Sequence, residues 1–287
     1  ATVAGDAYAD AMDYLASLAR FGVKPGLERT AALLEWMGNP ERRMAHIHVA
    51  GTNGKGSTAA MIERVLRQAG YTTGLYTSPH LQRYTERIRV CGSEIPQQRF
   101  AELIEEVKPL VALAAADPAK GEPTEFEAAT AACFRYFAEQ HVEVAVVEVG
   151  LGGRYDATNL VSPVAFAITH IAMDHMDRLG NTLAEIAADK SGIIKPGVPV
   201  VSSPQEPEAA KVIERAAAAA GARLVRVSRA AGDADVPFEL LDVGPGGTRV
   251  RVDLRRMPRG RSMELSCGLV GVHQAANCAT AVAALEL

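Results

Sequence analysis

A chain of 287 residues, 48% hydrophobic and 22% charged, is long enough for a large core and one or two domains. Its net charge of −4 and its 5% aromatic content give neither the basic footprint nor the stacking surface of a nucleic-acid binder. No stretch is apolar enough to span a bilayer and the N-terminus has no signal-peptide pattern. The cysteines (Cys91, Cys133, Cys267, Cys278) form no C-x-x-C pair, so a cytoplasmic protein with reduced thiols is expected.

In chain order, the spacing of Tyr8, Met12, Leu15 and Leu18 or Ala19 predicts an amphipathic helix over 8–20. A loop over 21–26 leads to a second helix through Leu27, Leu33, Leu34 and Met37, stopped by Gly38-Asn39-Pro40. A strand over 45–49 runs into a glycine-rich loop. A helix follows from near Ser57, with Met61, Ile62, Val65 and Leu66 at helical spacing. A strand is expected over 73–77 and helices over 97–116 and 124–140, with a polar loop over 117–123. Apolar runs over 142–149, 164–171, 198–202 and 224–227 then alternate with helical segments over 182–191 and 207–220. That alternation implies a mostly parallel sheet with helices on both faces. From 237 to 269 the texture becomes a small antiparallel β appendage, broken at 244–247 and 258–260, and a last helix starts at Gln274. The expected organisation is one domain over 1–287: N-terminal helices 1–40, an α/β core over 44–228, and the appendage with its closing helix over 236–287.

The glycine-rich loop carries the chemistry. In Ala-Gly-Thr-Asn-Gly-Lys-Gly-Ser-Thr (50–58), Gly51, Gly54 and Gly56 permit a tight turn that aims backbone N–H groups inward. Lys55 and the helix N-terminus add positive charge, which together make a cradle for nucleotide phosphates. The usual loop places a hydroxyl directly after its lysine to help hold Mg²⁺. Here Gly56 stands in that position and Gly51 lies closer than usual, so Ser57 or a more distant group must contribute. In parallel sheets ligands collect at the carboxyl ends of strands, and four clusters fall there. Thr77-Ser78-Pro79-His80 reads equally well as an ordinary turn. Glu148, at the end of a buried strand, is a candidate cation ligand, against a salt bridge to Arg154. His175 offers a ring nitrogen that Asp174 or Asp177 would orient, against a packing or capping role. Lys190 near a helix C-terminus needs no function beyond the helix dipole.

Taken together, these motifs resemble the Mur ligase superfamily, and within it the bifunctional dihydrofolate synthase/folylpolyglutamate synthase family. The resemblance rests on residues 48–57, on 77–81 with Glu86-Arg87-Ile88, on 148–159, on Asp174-His175 with Leu179-Gly180, and on 189–193, all in family order. It implies an α/β P-loop fold like the Mur ligase central domain. ATP phosphates would lie on Thr52, Asn53, Gly54, Lys55, Gly56 and Ser57, with Asn277 on the adenine side. Ser78, Glu148 and His175 would be Mg²⁺ ligands, with two cation sites expected. Lys190 matches the lysine that the family carbamylates. Lys55, Lys190 and His175 would be the catalytic group. A pterin-bearing substrate would lie against Lys24, Pro25, Gly26 and Leu27, against Thr124, Glu125, Phe126 and Glu127, and against Tyr155, Asp156 and Ala157. Phe126 would stack on the flat ring and Asp156 would accept its N–H donors.

The implied reaction is ATP-dependent addition of L-glutamate to dihydropteroate or a tetrahydrofolate polyglutamate through an acyl phosphate. Its partners are these small molecules, with no nucleic acid and no membrane, and a monomer is expected for the full-length protein. Family members continue into a C-terminal glutamate-binding domain that this chain lacks, so the 287 residues alone are expected to be inactive. The rival readings are another Mur-type amino-acid ligase, of the peptidoglycan or cyanophycin kind, and a non-catalytic nucleotide-binding domain. A nucleotide switch or motor is disfavoured, because no Asp-x-x-Gly follows a strand.

Overall fold

The structure is a computed structural model that describes residues 2–19, 25–229 and 234–287. In chain order its helices are α1 (Thr2–Ala19), α2 (Glu28–Trp36), α3 (Lys55–Gln68), α4 (Gln97–Ala116), α5 (Glu125–Glu139), α6 (Met176–Leu179), α7 (Leu183–Lys190), α8 (Pro207–Ala219) and α9 (Gln274–Leu285). Its strands are β1 (Ala45–Ala50), β2 (Thr73–Tyr76), β3 (Ile88–Val90), β4 (Ser93–Glu94), β5 (Val144–Glu148), β6 (Ala165–Ile168), β7 (Val200–Ser202), β8 (Leu224–Ser228), β9 (Val236–Gly244), β10 (Gly247–Asp253) and β11 (Ser262–Cys267). The chain divides into two compact units. One is Ala1–Ala45, Leu66–Leu151 and Tyr155–Ser162; the other is His46–Val65, Gly152–Arg154 and Pro163–Leu287.

In the first unit the strand order is β5-β2-β3-β4, with β5 and β2 parallel and the remaining pairs antiparallel. Its core joins Leu15 and Leu18 of α1, Leu33 and Leu34 of α2, Phe100, Leu103 and Ile104 of α4, and Phe134 and Phe137 of α5. Each such side chain contributes about 1.5–3 kcal/mol on full burial. The expected stop of α2 is realised by Gly38 (φ 80°) and Asn39 (φ 50°). Their N–H groups return to Glu35 O at 2.9 Å and Leu34 O at 2.7 Å, satisfying carbonyls at the helix end. The hairpin β3–β4 was not expected from sequence. Cys91 (φ 49°) and Gly92 (φ 82°) form its two-residue turn, the left-handed pair that suits strand twist.

The second unit has strand order β11-β10-β9-β8-β7-β6-β1. β1, β6, β7, β8 and β9 run parallel, and β9, β10 and β11 form an antiparallel meander. The appendage therefore continues the parallel sheet, because Val227 pairs with Val236 and Ser228 with Pro237. Helix α3 opens at Lys55, earlier than the expected Ser57, and its buried residues are Thr58, Ala59, Ile62 and Glu63. Val65, expected on the apolar face, is 48% exposed. Among the described residues, no helix is long and apolar enough to cross a membrane.

Candidate nucleotide-binding site

The loop after β1 is anchored before it turns. Thr52 N and Asn53 N donate to His170 O at 3.0 and 3.1 Å, and Thr52 Oγ1 and Ala172 N are 3.1 Å apart. These two N–H groups thus face the strand end after β6. The amides of Lys55, Gly56 and Ser57 precede the first intrahelical bond, Thr58 N to Gly54 O at 2.9 Å, the arrangement at a helix N-terminus that suits an anion. Of the three loop glycines, Gly51 (φ 144°) and Gly54 (φ 86°) take the conformation that favours glycine, while Gly56 is helical. A Cβ on Gly51 would collide with Thr169 Oγ1, and one on Gly54 with Asn277 Oδ1. Lys55 Nζ folds back to Thr52 O at 3.3 Å.

Lys190, the last residue of α7, is buried and donates from Nζ to Gly51 O at 2.8 Å. The helix-dipole reading of this lysine therefore omits its contact with the phosphate loop. Gly152 and Gly153 lie against α7: Cβ atoms there would strike Asp189 Oδ2 and the Asp189 and Lys190 backbone. Arg154 N donates to Asp189 O at 3.1 Å. Burial pushes the Asp189 carboxyl up from its ordinary range, opposed by the charges of Lys190 and Arg154.

A cavity of ≈ 530 Å³ adjoins the loop, lined by Asn53, Gly54 and Ser57, by His170, Ser203 and Pro204, and by His273, Ala276 and Asn277 of the α9 region. A mostly apolar lining with a few convergent polar side chains, Asn53, Ser57, His170 and Asn277 among them, suits a nucleoside. His175 stands at the N-terminus of α6 with a 53% exposed side chain, its Nε2 3.6 Å from Asp174 Oδ2. That separation is longer than a hydrogen bond, and Asp174 Oδ1 instead accepts from His175 N at 2.9 Å.

In the first unit, Ser78 N donates to Glu148 Oε2 at 3.1 Å, and Glu148 is only 4% exposed. Among the described residues there is no cluster of three or more His, Cys, Asp or Glu side chains able to hold a metal. A buried carboxylate whose neighbour in space is the Ser78 backbone fits a hard cation such as Mg²⁺, which takes one or two carboxylates and completes its shell with hydroxyl, water and phosphate oxygens. Phe126 lies against Gly150, where a Cβ would meet its ring, and stacks on Tyr76 with centroids 5.8 Å apart at 14°. Asp156 is committed: Oδ2 accepts from Leu151 N at 2.9 Å and Oδ1 from Thr158 N at 3.0 Å. Burial raises its pKa, and these hydrogen bonds oppose the rise.

Thr124 and Glu127 form a capping box at the start of α5. Glu127 also takes Arg29 Nε at 3.0 and 3.1 Å on its two oxygens. Glu125 accepts from Tyr84 Oη and lies 3.4 Å from Arg87 Nη1, while Arg87 Nε reaches His80 Nδ1 at 3.0 Å. Tyr84 has no role in the sequence reading, and His80 and Arg87 enter it only as members of two motifs that carry the resemblance, with no contact between them expected. Ala157 is buried, Tyr155 and Pro25 are exposed, and Gly26 and Leu27 are half-buried. Lys24 lies outside the described residues.

A parallel sheet whose first strand feeds a glycine-rich loop, a lysine and a helix N-terminus defines a nucleotide-phosphate-binding α/β protein. Residues 49–285 match the Mur ligase middle domain, and the chain belongs to that family. It is 42% identical over 282 residues to the dihydrofolate synthase/folylpolyglutamate synthase of Bacillus subtilis, covering 98% of this chain and 63% of the relative. The crystal structure of folylpolyglutamate synthase from Thermotoga maritima superimposes with a TM-score of 0.87 at 36% identity, covering 98% of this chain and 62% of that one. The Mycobacterium tuberculosis folylpolyglutamate synthase complexed with ADP gives 0.88 at 35% identity, covering 99% and 62%. The chain thus spans about six-tenths of the length of these relatives.

Proposed function

We propose that this chain is the ATP-binding portion of a ligase that adds L-glutamate to dihydropteroate or to a tetrahydrofolate polyglutamate. The carrying observation is the phosphate loop: amides of Lys55, Gly56 and Ser57 open α3 beneath the Lys55 charge, beside a nucleoside-sized cavity. The pterin substrate's carboxylate attacks the γ-phosphorus of ATP, the bond to the β-phosphate oxygen breaks, and ADP leaves. The glutamate amine then attacks the acyl carbon, phosphate departs, and the amine proton passes to solvent. Lys55 and the loop amides hold and neutralise the phosphates so that two anions can approach. Ser78 and Glu148 are the proposed Mg²⁺ ligands, and His175 is retained as the third on the resemblance alone. Bound Mg²⁺ supplies charge neutralisation at the transferring phosphoryl group. The proposal includes a monomeric, cytoplasmic full-length enzyme. Cys91, Cys133, Cys267 and Cys278 are all free thiols, which supports a reducing setting.

ADP release by the full-length protein is the test. It should require L-glutamate together with dihydropteroate or tetrahydrofolate. Release with UDP-muramyl peptides instead would move the protein to the peptidoglycan branch.

Phe126 is proposed to face the pterin ring from its place beside Gly150. Phe126→Ala should weaken pterin binding by about 0.5–1.5 kcal/mol beyond lost burial and leave ATP affinity nearly unchanged. Equal insensitivity to both ligands in a fluorescence titration would remove Phe126 from the pocket.

Carbamylation of Lys190 is also proposed. A carbamate keeps one N–H for Gly51 O, the bond Nζ already makes at 2.8 Å, and adds an anionic group that a second cation would draw in. With ¹³C-bicarbonate, the protein should show a carbamate carbon signal that Lys190→Ala and Lys190→Arg both lack. Both variants should lose glutamate ligation. An absent signal, or a fully active Lys190→Arg, would refute it.

A further inference from the structure

Gln274 opens α9 and is only 7% exposed, an uncommon place for an amide that no reaction step requires. Its Nε2 lies 3.2 Å from His273 Nε2, and its Oε1 accepts from Asn277 Nδ2 at 2.9 Å. Asn277, 5% exposed, lies over Gly54 and lines the cavity beside the phosphate loop. An asparagine amide turned by 180° exchanges its donor for its acceptor, and steric fit alone hardly distinguishes the two.

The contacts of Gln274 do distinguish them. The Gln274 NH₂ group faces His273 Nε2 and can only donate, so that ring nitrogen accepts and the ring proton sits on Nδ1. Gln274 then turns its oxygen toward Asn277, and that oxygen accepts only from the Asn277 NH₂. Asn277 is left with Oδ1 and its second amide hydrogen for a ligand. This donor–acceptor edge matches the N6 amine and N7 of adenine, whereas guanine places acceptors at both corresponding positions.

We propose that Gln274 is a positioning residue that sets adenine-over-guanine selectivity by fixing the orientation of the Asn277 amide. The inference rests on reading the cavity as the nucleotide site. Gln274→Met removes both hydrogen bonds, and Gln274→Asn is one methylene too short to reach Asn277. Gln274→Glu keeps an acceptor for Asn277 Nδ2.

The test is displacement of a fluorescent ADP analogue from the chain by ADP and by GDP, with thermal melting recorded in parallel. The unsubstituted chain should prefer ADP by on the order of tenfold to a hundredfold. That ratio should fall toward unity in Gln274→Met and in Gln274→Asn, and persist in Gln274→Glu, whatever happens to the melting temperature. If Gln274→Met does not fold, Gln274→Asn carries the same test. An unchanged ratio in the folded Met or Asn variant, or an equal collapse in Gln274→Glu, overturns the positioning role alone. A chain that binds neither nucleotide overturns both the role and the site.

Discussion

Lys55→Ala should weaken Mg·ATP binding by about 1.5–3 kcal/mol, the usual worth of a charge-assisted contact, with the fold retained. The fold should survive because, among the described residues, the hydrogen bond of the Lys55 ammonium is to Thr52 O of its own loop, at 3.3 Å. Glu148→Gln preserves shape and the acceptor for Ser78 N but removes the anionic ligand, and a loss of similar size is expected when Mg²⁺ is present. Without Mg²⁺ the Glu148→Gln deficit should vanish while the Lys55→Ala deficit stays. Calorimetry in both conditions separates a phosphate contact from a cation ligand. Affinity unchanged in both variants would end the phosphate-site assignment.

The largest effect on stability is expected at Glu127. Its carboxylate pairs with Arg29, side chains 6% and 8% exposed, and also receives Thr124 N at 2.7 Å. Glu127→Ala would remove a carboxylate from the buried Arg29 cation and uncap α5, at about 3–5 kcal/mol. Thr124→Ala removes only the hydroxyl half of the capping box and should cost roughly 0.5–2 kcal/mol. Urea unfolding distinguishes them. A Glu127→Ala loss no larger than that of Thr124→Ala would mean that the ion pair contributes little.

Glu127 also illustrates what could be read from the chain alone. The motif around Thr124 and Phe126 was visible, yet a carboxylate next to a proposed ligand and one next to a buried arginine look alike in sequence. Arg29 is distant in the chain, and its approach is a tertiary fact. Asp156 follows the same pattern, with both oxygens engaged by the neighbouring backbone. Local signals travelled well: the periodicity over 97–116 matches α4, and Gly38-Asn39-Pro40 stops α2 where expected. The hairpin β3–β4 escaped because its strands are very short and its turn uses Cys91 where asparagine or aspartate is the usual signal. In α3 the apolar spacing misplaced the inner face, since Thr58 and Glu63 are buried and Val65 is not. The phosphate loop was legible because glycine and lysine at fixed offsets have few alternative uses. The Gln274–Asn277 pairing was not, because hydrogen-bond polarity leaves no mark in residue type.

The division of the chain into interleaved segments bears on how the protein is made. The first unit is complete once the ribosome has passed Ser162, apart from the short excursion at Gly152–Arg154. The phosphate-loop segment, His46–Val65, is synthesised long before most of its own unit, which resumes at Pro163. Because β1 pairs with β6, whose strand comes only after that point, the nascent loop has no parallel neighbour within its unit to set its register. Co-translational folding would therefore bring the first unit's segments together before β6 exists to pair with β1, an interval in which chaperone contact and aggregation compete. Slow codons placed after β6 would lengthen the time available for that pairing, whereas a gene cut between Val65 and Pro163 would deliver neither unit whole.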